Sequence, residues 1–574
     1  MHPAPPRFSH DDAPAAPWTA QYQPGVPARI ELPTTDLGTM FEHACAKGGR
    51  SVALEFFGAT TTYRELGAQV ARAAAGLAEL GVGAGDRVVI MLPNCPQHVV
   101  AFYAVLRLGA IVVEHNPLYT IDELRGPLTD HGARHAIVWD KVAGKLTGLP
   151  VGEGPRTVIA VNLLEALPRT KRAALALPLP SLRRTRAKLH AEAPGTIGWD
   201  AVLDHRPLPS SHPRPAVDDL AVIQYTSGTT GRPKGAMLTH FNLHSNALQG
   251  RAWMHGSREG REVFYAILPL FHAFGMTLHL TFGIMMRARI VLFPTFDVDQ
   301  VLDVARKTPP TVLSAVPPIF ERIAARAAER KVSLRSARHC LSGAMRLSEA
   351  IAARWEAATG GLLVEGYGMT EASPVAFGNP VWKTRRTGSI GVPFPSTYMR
   401  VVDPDDPSRE VAPGERGELL VMGPQVFHGY WNDPEGTEAA LHEGQWLRTG
   451  DVVTVDGDGF ATIVDRLKEL IITGGFNVAP SEVEEVLNDH HAIEESAVVG
   501  VDDGDGGEKV VAAVVLAEGC EADALDEAEV RDYCREHLAR YKVPRRIVVV
   551  DELPHSMLGK VMRRQVREEI TDRV

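Results

Sequence analysis

Short apolar runs alternate with helix-periodic stretches along most of this chain, and that alternation limits the folds open to it. Residues 56–63 read as a hairpin turning at Gly58, and residues 66–80 have apolar positions at helical spacing before Gly81. Residues 87–91 read as a buried strand closed by Pro93, residues 98–108 as a helix closed by Gly109, and residues 110–113 as a strand again. Strand-like runs recur at 136–139, 289–293 and 311–315. Parallel strands need a crossover to bring the chain back, and a helix is the usual one. The pattern predicts an α/β fold on largely parallel sheets.

The chain has 574 residues, more than one hydrophobic core normally organises. From about residue 470 the texture changes. A helix at 481–488 with Ser481 as N-cap, strands at 498–501 and 510–516, a helix at 527–538 and a strand at 547–550 make a small α+β unit. The predicted division is a disordered tail over 1–27, a large domain over 28–465, a hinge at 466–470 and a small domain over 471–574. Hydrophobic residues make up 45% and charged residues 23%, a soluble-enzyme composition. A net charge of −10 argues against general nucleic-acid binding. Five scattered cysteines with no C-x-x-C pair predict a reducing, cytoplasmic setting without structural zinc. Residues 1–27 lack the apolar core of a signal peptide. The most apolar stretch, 273–286, is too short to span a bilayer, contains His279 and reads as a buried core helix.

Chemistry concentrates at Tyr225-Thr226-Ser227-Gly228-Thr229-Thr230-Gly231-Arg232-Pro233-Lys234-Gly235. An apolar run enters it and a helix-compatible stretch, 238–248, leaves it. The glycines let backbone N–H groups approach an anion. Thr226, Ser227, Thr229 and Thr230 add uncharged donors, and Lys234 adds one compact cation. The order differs from a Walker loop, because glycine follows Lys234.

Three further motifs follow. Gly366-Tyr367-Gly368-Met369-Thr370-Glu371 offers a ring for stacking on a purine, a hydroxyl for phosphate and a hard oxygen ligand suited to Mg²⁺. Thr449-Gly450-Asp451 offers a carboxylate to vicinal ribose hydroxyls, and Arg466 a cation to ribose or phosphate. Gly559 is expected to give Lys560 a flexible, exposed approach, from which it neutralises charge on a transferring phosphoryl group. Each of the last three would pass alone for a turn or a surface charge.

Taken in order, these motifs resemble those of the adenylate-forming, acyl-CoA synthetase and luciferase superfamily, from about Trp18 to Arg567. Within it the chain is most similar to bacterial long-chain fatty acid–CoA ligases, on VEHNPLYT at 113–120, EGYGMTEASP at 365–374, TGSIGVPFPST at 387–397, GPQVFHGY at 423–430 and GGFNVAP at 474–480. The resemblance implies a large adenylation domain of stacked α/β sheets with a small β-barrel-like part, and a small mobile α+β C-terminal domain. It implies ATP and CoA as co-substrates, a fatty acid as acyl donor and Mg²⁺ as cofactor. It assigns the phosphates to Thr226, Ser227, Gly228, Thr229, Thr230, Gly231 and Lys234, and the metal to Thr226 and Glu371. The nucleotide also falls to Gly343, Ala344, Met345, Gly366, Tyr367, Gly368, Met369 and Thr370, with ribose at Asp451 and Arg466. Lys560 becomes the adenylation lysine and Lys468 the hinge about which the small domain turns. His272 and Phe274 line the acyl site, and Gly474, Gly475 and Phe476 approach the pantetheine thiol.

Ile472 stands where plant aryl-CoA ligases tend to carry lysine, and Arg346 where the superfamily often has proline. Two neighbouring activities stay open: a fatty acyl-AMP ligase loading a carrier protein, and an aryl- or 2-enoate-CoA ligase. Homodimers are frequent in the superfamily. Residues 166–190 hold Arg169, Lys171, Arg172, Arg183, Arg184, Arg186 and Lys188 with no acid. They read either as a solvated insertion or as a peripheral contact with anionic lipid at the inner face of the membrane. Their prolines forbid one continuous helix.

Overall fold

Apolar strands flanked by capped helices order the first two-thirds of the chain. Thr62 and Thr120 each cap a helix in a reciprocal box, with Glu65 and Glu123 as the returning acids. The computed structural model describes residues 7–573 except 12, 227–232, 474–475, 504–507, 521–524 and 557–558. Ser227, Gly228, Thr229, Thr230, Gly231, Gly474 and Gly475 thus lie outside the described residues, as does the side chain of Phe476.

Two large sheets carry the fold. The first has seven strands in the order Ile197–Gly198, Thr157–Val161, His135–Trp139, Arg87–Met91, Ile111–Glu114, Leu220–Thr226 and Lys234–Thr239. All neighbours are parallel except the last pair. The second has nine, running Val392–Pro393, Val375–Gly378, Leu363–Gly368, His339–Ser342, Val312–Ala315, Val263–Ala266, Arg289–Leu292, Val52–Phe56 and Ala59–Thr62. Its six central strands are parallel, and antiparallel strands close both edges. The cores are the buried faces of these sheets: Tyr265, Phe293, Phe320 and Trp355 in one, Val89, Val113, Ala136 and Leu124 in the other.

A five-stranded sheet includes Tyr398–Val402, Gly417–Met422, Trp446–Val455 and Ala461–Arg466. The chain divides into two compact units, 1–398 with 421–447, and 399–420 with 448–574. In the second unit Ile493–Asp502 pairs antiparallel with Glu508–Leu516, and Arg546–Val549 lies parallel to the latter. The helix Pro480–Asn488 packs Val483 and Leu487 onto this sheet.

Four expectations change. Residues 17–27 are not unstructured: Pro17–Gln21 forms a 3₁₀ turn, Trp18 and Tyr22 are buried, and the Tyr22 hydroxyl donates to Pro393 O at 2.6 Å. The two aromatics anchor a segment whose Pro-Ala composition suggested none. The buried helix at 273–286 begins as Ala273–Gly275 but then winds more widely, as a π-helix over Met276–Gly283. Ser481 is not the N-cap of its helix; Ala479 stands there, Pro480 fills the first turn, and the Ser481 hydroxyl accepts from Arg563 at 3.0 Å. The phosphate-loop sequence does not lead into a helix, as described next.

Candidate active site

Thr226 ends the strand Leu220–Thr226, and Lys234 begins the antiparallel strand Lys234–Thr239 directly opposite it. The two strands are therefore the arms of a β-hairpin, and residues 227–232 between them lie outside the described residues. Helix His240–Trp253 starts only afterwards, capped by Thr239. No helix N-terminus follows Lys234 directly, so the dipole of helix His240–Trp253 is not aimed from that end of the strand.

The outer edge of Lys234–Thr239 is covered by residues 427–433. Trp431 N donates to Gly235 O at 2.7 Å, Met237 N to Gly429 O at 2.9 Å and His428 N to Met237 O at 2.9 Å. This pairing brings two unforeseen side chains to the site. Asp433 binds Lys234 Nζ at 2.7 Å, and the Tyr430 hydroxyl donates to Glu371 Oε1 at 2.7 Å. Lys234 Nζ also lies 4.9 Å from the Tyr430 ring centre. Lys234 holds the Asp433 carboxyl below its usual range, helped by the Gly436 N–H. Burial, then the charge of Glu371, raise the Tyr430 phenol, so it stays a donor. Gly436 matters sterically: a Cβ there would lie 2.1 Å from Asp433 Oδ2 and 2.4 Å from Lys234 Nζ.

Glu371 sits in a 3₁₀ turn, Thr370–Ala372, just past the strand Leu363–Gly368. Phe427 N donates to its carbonyl at 2.8 Å. Glu371 is a buried carboxylate, a hard oxygen donor of the kind that suits Mg²⁺, which takes one or two protein oxygens and completes its shell with water and substrate phosphates. No cluster of three or more His, Cys, Asp or Glu side chains placed to hold a metal exists among the described residues.

The candidate nucleotide and acyl segments lie in the same unit. Gly343 follows the strand His339–Ser342, and a Cβ on it would lie 2.9 Å from the Phe274 ring and 3.5 Å from Gly366 O. Ala344 holds φ at +67°, turning the chain out of the strand before Met345. The Tyr367 ring meets Phe377 edge-on at 5.8 Å. Met369 N donates to Pro374 O at 2.9 Å and closes the turn that carries Thr370. His272 Nδ1 accepts from Phe274 N at 3.2 Å, which requires the proton on Nε2. Burial holds this imidazole neutral, its pKa pulled down to about 4. Gln224 donates to Phe271 O at 2.9 Å and Thr277 to Ser373 O at 2.7 Å, tying this segment to the hairpin strand and to the Glu371 turn. Gly343 and His272 follow the carboxyl ends of the parallel strands His339–Ser342 and Val263–Ala266, the end at which open α/β sheets bind ligands.

The remaining candidates lie in the second unit. Asp451 and Arg466 are opposite each other on paired strands, with Arg466 Nε donating to Asp451 Oδ1 at 3.0 Å. Lys468 is exposed within the 3₁₀ turn Leu467–Glu469. Lys560 is not on a loose approach. Gly559, at φ +75°, closes a turn in which Ser556 N donates to Lys560 O at 2.8 Å and Lys560 N to Ser556 Oγ at 3.1 Å. Burial, then the Arg466 guanidinium, lower the Lys560 pKa, while Glu469 and Asp451 act the other way. Arg563 is the hub beside it. It pairs with Glu469, reaches Glu484 at 2.8 and 2.6 Å, and donates to Ser481. Ser481 N in turn donates to Asp465 Oδ2 at 2.9 Å.

Residues 41–431 match the family described as AMP-binding enzyme, and residues 482–560 match the AMP-binding enzyme C-terminal domain. The chain belongs to the AMP-binding enzyme family. A relative from Bacillus subtilis (strain 168), a long-chain-fatty-acid–CoA ligase, is 37% identical over 97% of this chain and 98% of its own length. The solved structure of ATP-bound MatB from Rhodopseudomonas palustris is 31% identical, with a TM-score of 0.76 over 94% of this chain and 99% of that one. The anthranilate CoA ligase AuaEII, solved with anthranoyl-AMP, is 26% identical, with a TM-score of 0.79 over 94% and 98%.

Proposed function

We propose that this chain is a fatty acid–CoA ligase acting through an acyl-adenylate. A fatty carboxylate attacks the α-phosphorus of ATP, and pyrophosphate leaves. The thiol of CoA, losing its proton, then attacks the acyl carbon, and AMP leaves. The mixed anhydride turns a poor acyl donor into one with a good leaving group.

The residues divide this work. Thr226 with the loop Ser227–Gly231 and Lys234 orients the phosphates, and Asp433 holds the Lys234 ammonium in place. Glu371, held by the Tyr430 hydroxyl, and Thr226 would hold Mg²⁺. When bound, the metal offsets negative charge on the phosphate oxygens. Tyr367 packs on adenine beside Gly343–Met345, with Thr370 on phosphate. Asp451 accepts from the ribose hydroxyls while Arg466 fixes its orientation. Lys560 stabilises charge moving onto pyrophosphate. His272 and Phe274 border the acyl group, and the neutral Nε2–H of His272 supplies a donor there. In the second step the 471–574 domain turns about Lys468, within the 466–470 hinge, and offers 474–476 to the thiol. The enzyme works in the cytoplasm.

The paired contacts of Lys234 with Asp433 and Glu371 with Tyr430 carry this reading: they order one cation and one acid around the hairpin loop. A long-chain substrate is supported by the near full-length likeness to the Bacillus ligase. An aryl acid is the second reading, favoured by the likeness to the anthranilate ligase. AMP release should be measured with Mg-ATP across acids from acetate to stearate and cinnamate-type acids, with and without CoA. Release that needs CoA and rises with chain length is expected. Acyl-AMP building up regardless of CoA, or activity confined to aromatic acids, would overturn the assignment.

A further inference from the structure

Residues 166–190 form a helical hairpin on the first unit. Arg169–Leu175 and Pro180–Leu189 are its helices, and neither has a buried residue. Leu175, Leu182 and Leu189 are the half-buried apolar positions, and Leu182 and Leu189 share one face at a spacing of seven. Arg183, Arg184 and Lys188 fan over the opposite, exposed face, with Arg186 exposed at its margin. Arg169 and Arg172 are exposed on the first helix, while Lys171 donates to Phe57 O at 2.9 Å and lies over the Phe57 ring.

Two features coincide on this surface. Among the described residues, none of its seven basic side chains forms an ion pair, whereas Arg326, Arg330, Arg385, Arg448 and Arg563 elsewhere all do. The bend between the helices also presents Leu177 and Leu179 with 51% and 52% of their surface exposed. Large apolar side chains held out between unpaired cations match a surface that is anionic outside and apolar just beneath. Nucleic acid offers the first property only.

We infer that this hairpin docks the enzyme on anionic phospholipid bilayers, the cations meeting headgroups and Leu177 and Leu179 entering the acyl boundary. It lies on the bilayer and does not cross it; no described helix is long and apolar enough to span one. The inference rests on the proposed function for its biological sense, since a fatty acid substrate partitions into the same layer. The contact itself does not depend on that reading.

The test is sedimentation of the full-length protein with vesicles of phosphatidylcholine, alone or with about a third phosphatidylglycerol. Each cation near such a surface contributes about fivefold in binding. R183Q/R184Q/R186Q/K188Q should therefore weaken binding to the anionic vesicles by at least about tenfold. L177S/L179S should weaken it about fivefold, and raised salt should release the protein. R169Q/R172Q serves should the fourfold variant not fold. Absence of binding by wild type, binding unchanged in the variants, or capture by heparin with no effect of L177S/L179S would overturn the inference. ATP–pyrophosphate exchange with a water-soluble acid, without vesicles, should stay at the wild-type rate in all variants. Absence of exchange in wild type would sink the ligase reading and leave the vesicle result standing.

Discussion

Replacing Gly368 by alanine is the sharpest test of how the Glu371 turn is built. Gly368 ends its strand opposite Val375, and its φ is not left-handed, so only space is at issue. A Cβ there would lie 1.8 Å from Pro374 O, 2.7 Å from Pro374 C and 2.9 Å from Val375 Cα. All three are backbone atoms inside the 3.0 Å limit that real Cβ contacts respect. Moving Pro374 away would break the Met369 N to Pro374 O bond, at 2.9 Å, that closes the turn. Forced overpacking costs ~1–3 kcal/mol, and the lost hydrogen bond ~1 kcal/mol. The total, about 2–4 kcal/mol, corresponds to roughly 30- to 1,000-fold if it falls on the site. ATP–pyrophosphate exchange and urea unfolding should both be followed. The control is Gly126→Ala in the helix Ile121–His131, where a Cβ meets nothing within 4 Å; it should gain ~0.5–1 kcal/mol. If Gly368→Ala keeps the wild-type exchange rate and unfolding midpoint, the steric argument is wrong.

Lys560→Ala should lower ATP–pyrophosphate exchange ~10²–10³-fold yet still pass supplied acyl-AMP to CoA; equal loss of both steps would contradict the role given to Lys560. Chelating Mg²⁺ should abolish exchange, because the proposed function places the metal between Glu371, Thr226 and the substrate phosphates; exchange that persists without Mg²⁺ would remove the metal from the reaction. Gly436→Ala should raise the KM for ATP by opening the Lys234–Asp433 pair, and an unchanged KM would remove that pair from phosphate binding. Burial depresses His115 and His272 to about 4 and His279 to about 3. The unfolded chain takes up these protons first, so stability should fall as pH drops below the unfolded histidine value of ~6.5. Glu365, whose carboxyl burial raises to about 8, takes up its proton first in the folded chain and offsets part of this loss. A urea midpoint flat between pH 7 and 5 would show those rings to be solvated.

The parallel strands were legible because each is a short apolar run ended by glycine, proline or a cap, and 87–91 matches the observed Arg87–Met91. The strand after the phosphate loop was not. Lys234–Thr239 has no clear alternation of its own and is held by register with Leu220–Thr226 on one edge and residues 427–433 on the other. Those partners also explain why Tyr430 and Asp433 escaped notice. GPQVFHGY at 423–430 stood out as a family likeness, but nothing local says that its tyrosine reaches an acid fifty-nine positions away. Glu371 was readable because its glycines and neighbours are adjacent in the chain. The poise of Lys560 was not, since Arg466, Glu469 and Arg563 surround it only after the second unit folds.

The Arg563 hub has a mechanical consequence. One guanidinium fastens the end of the 3₁₀ turn at Glu469, the helix at Ser481 and Glu484, and the segment three residues beyond Lys560. Lys560, three residues before this guanidinium, is thereby tied in sequence to the turn at Glu469 and the helix at Ser481 and Glu484. If that assembly turns between the half-reactions, Lys560 departs in the same movement that delivers the 474–476 segment. On the proposed function, adenylate synthesis and thiol capture then belong to two different positions of this unit.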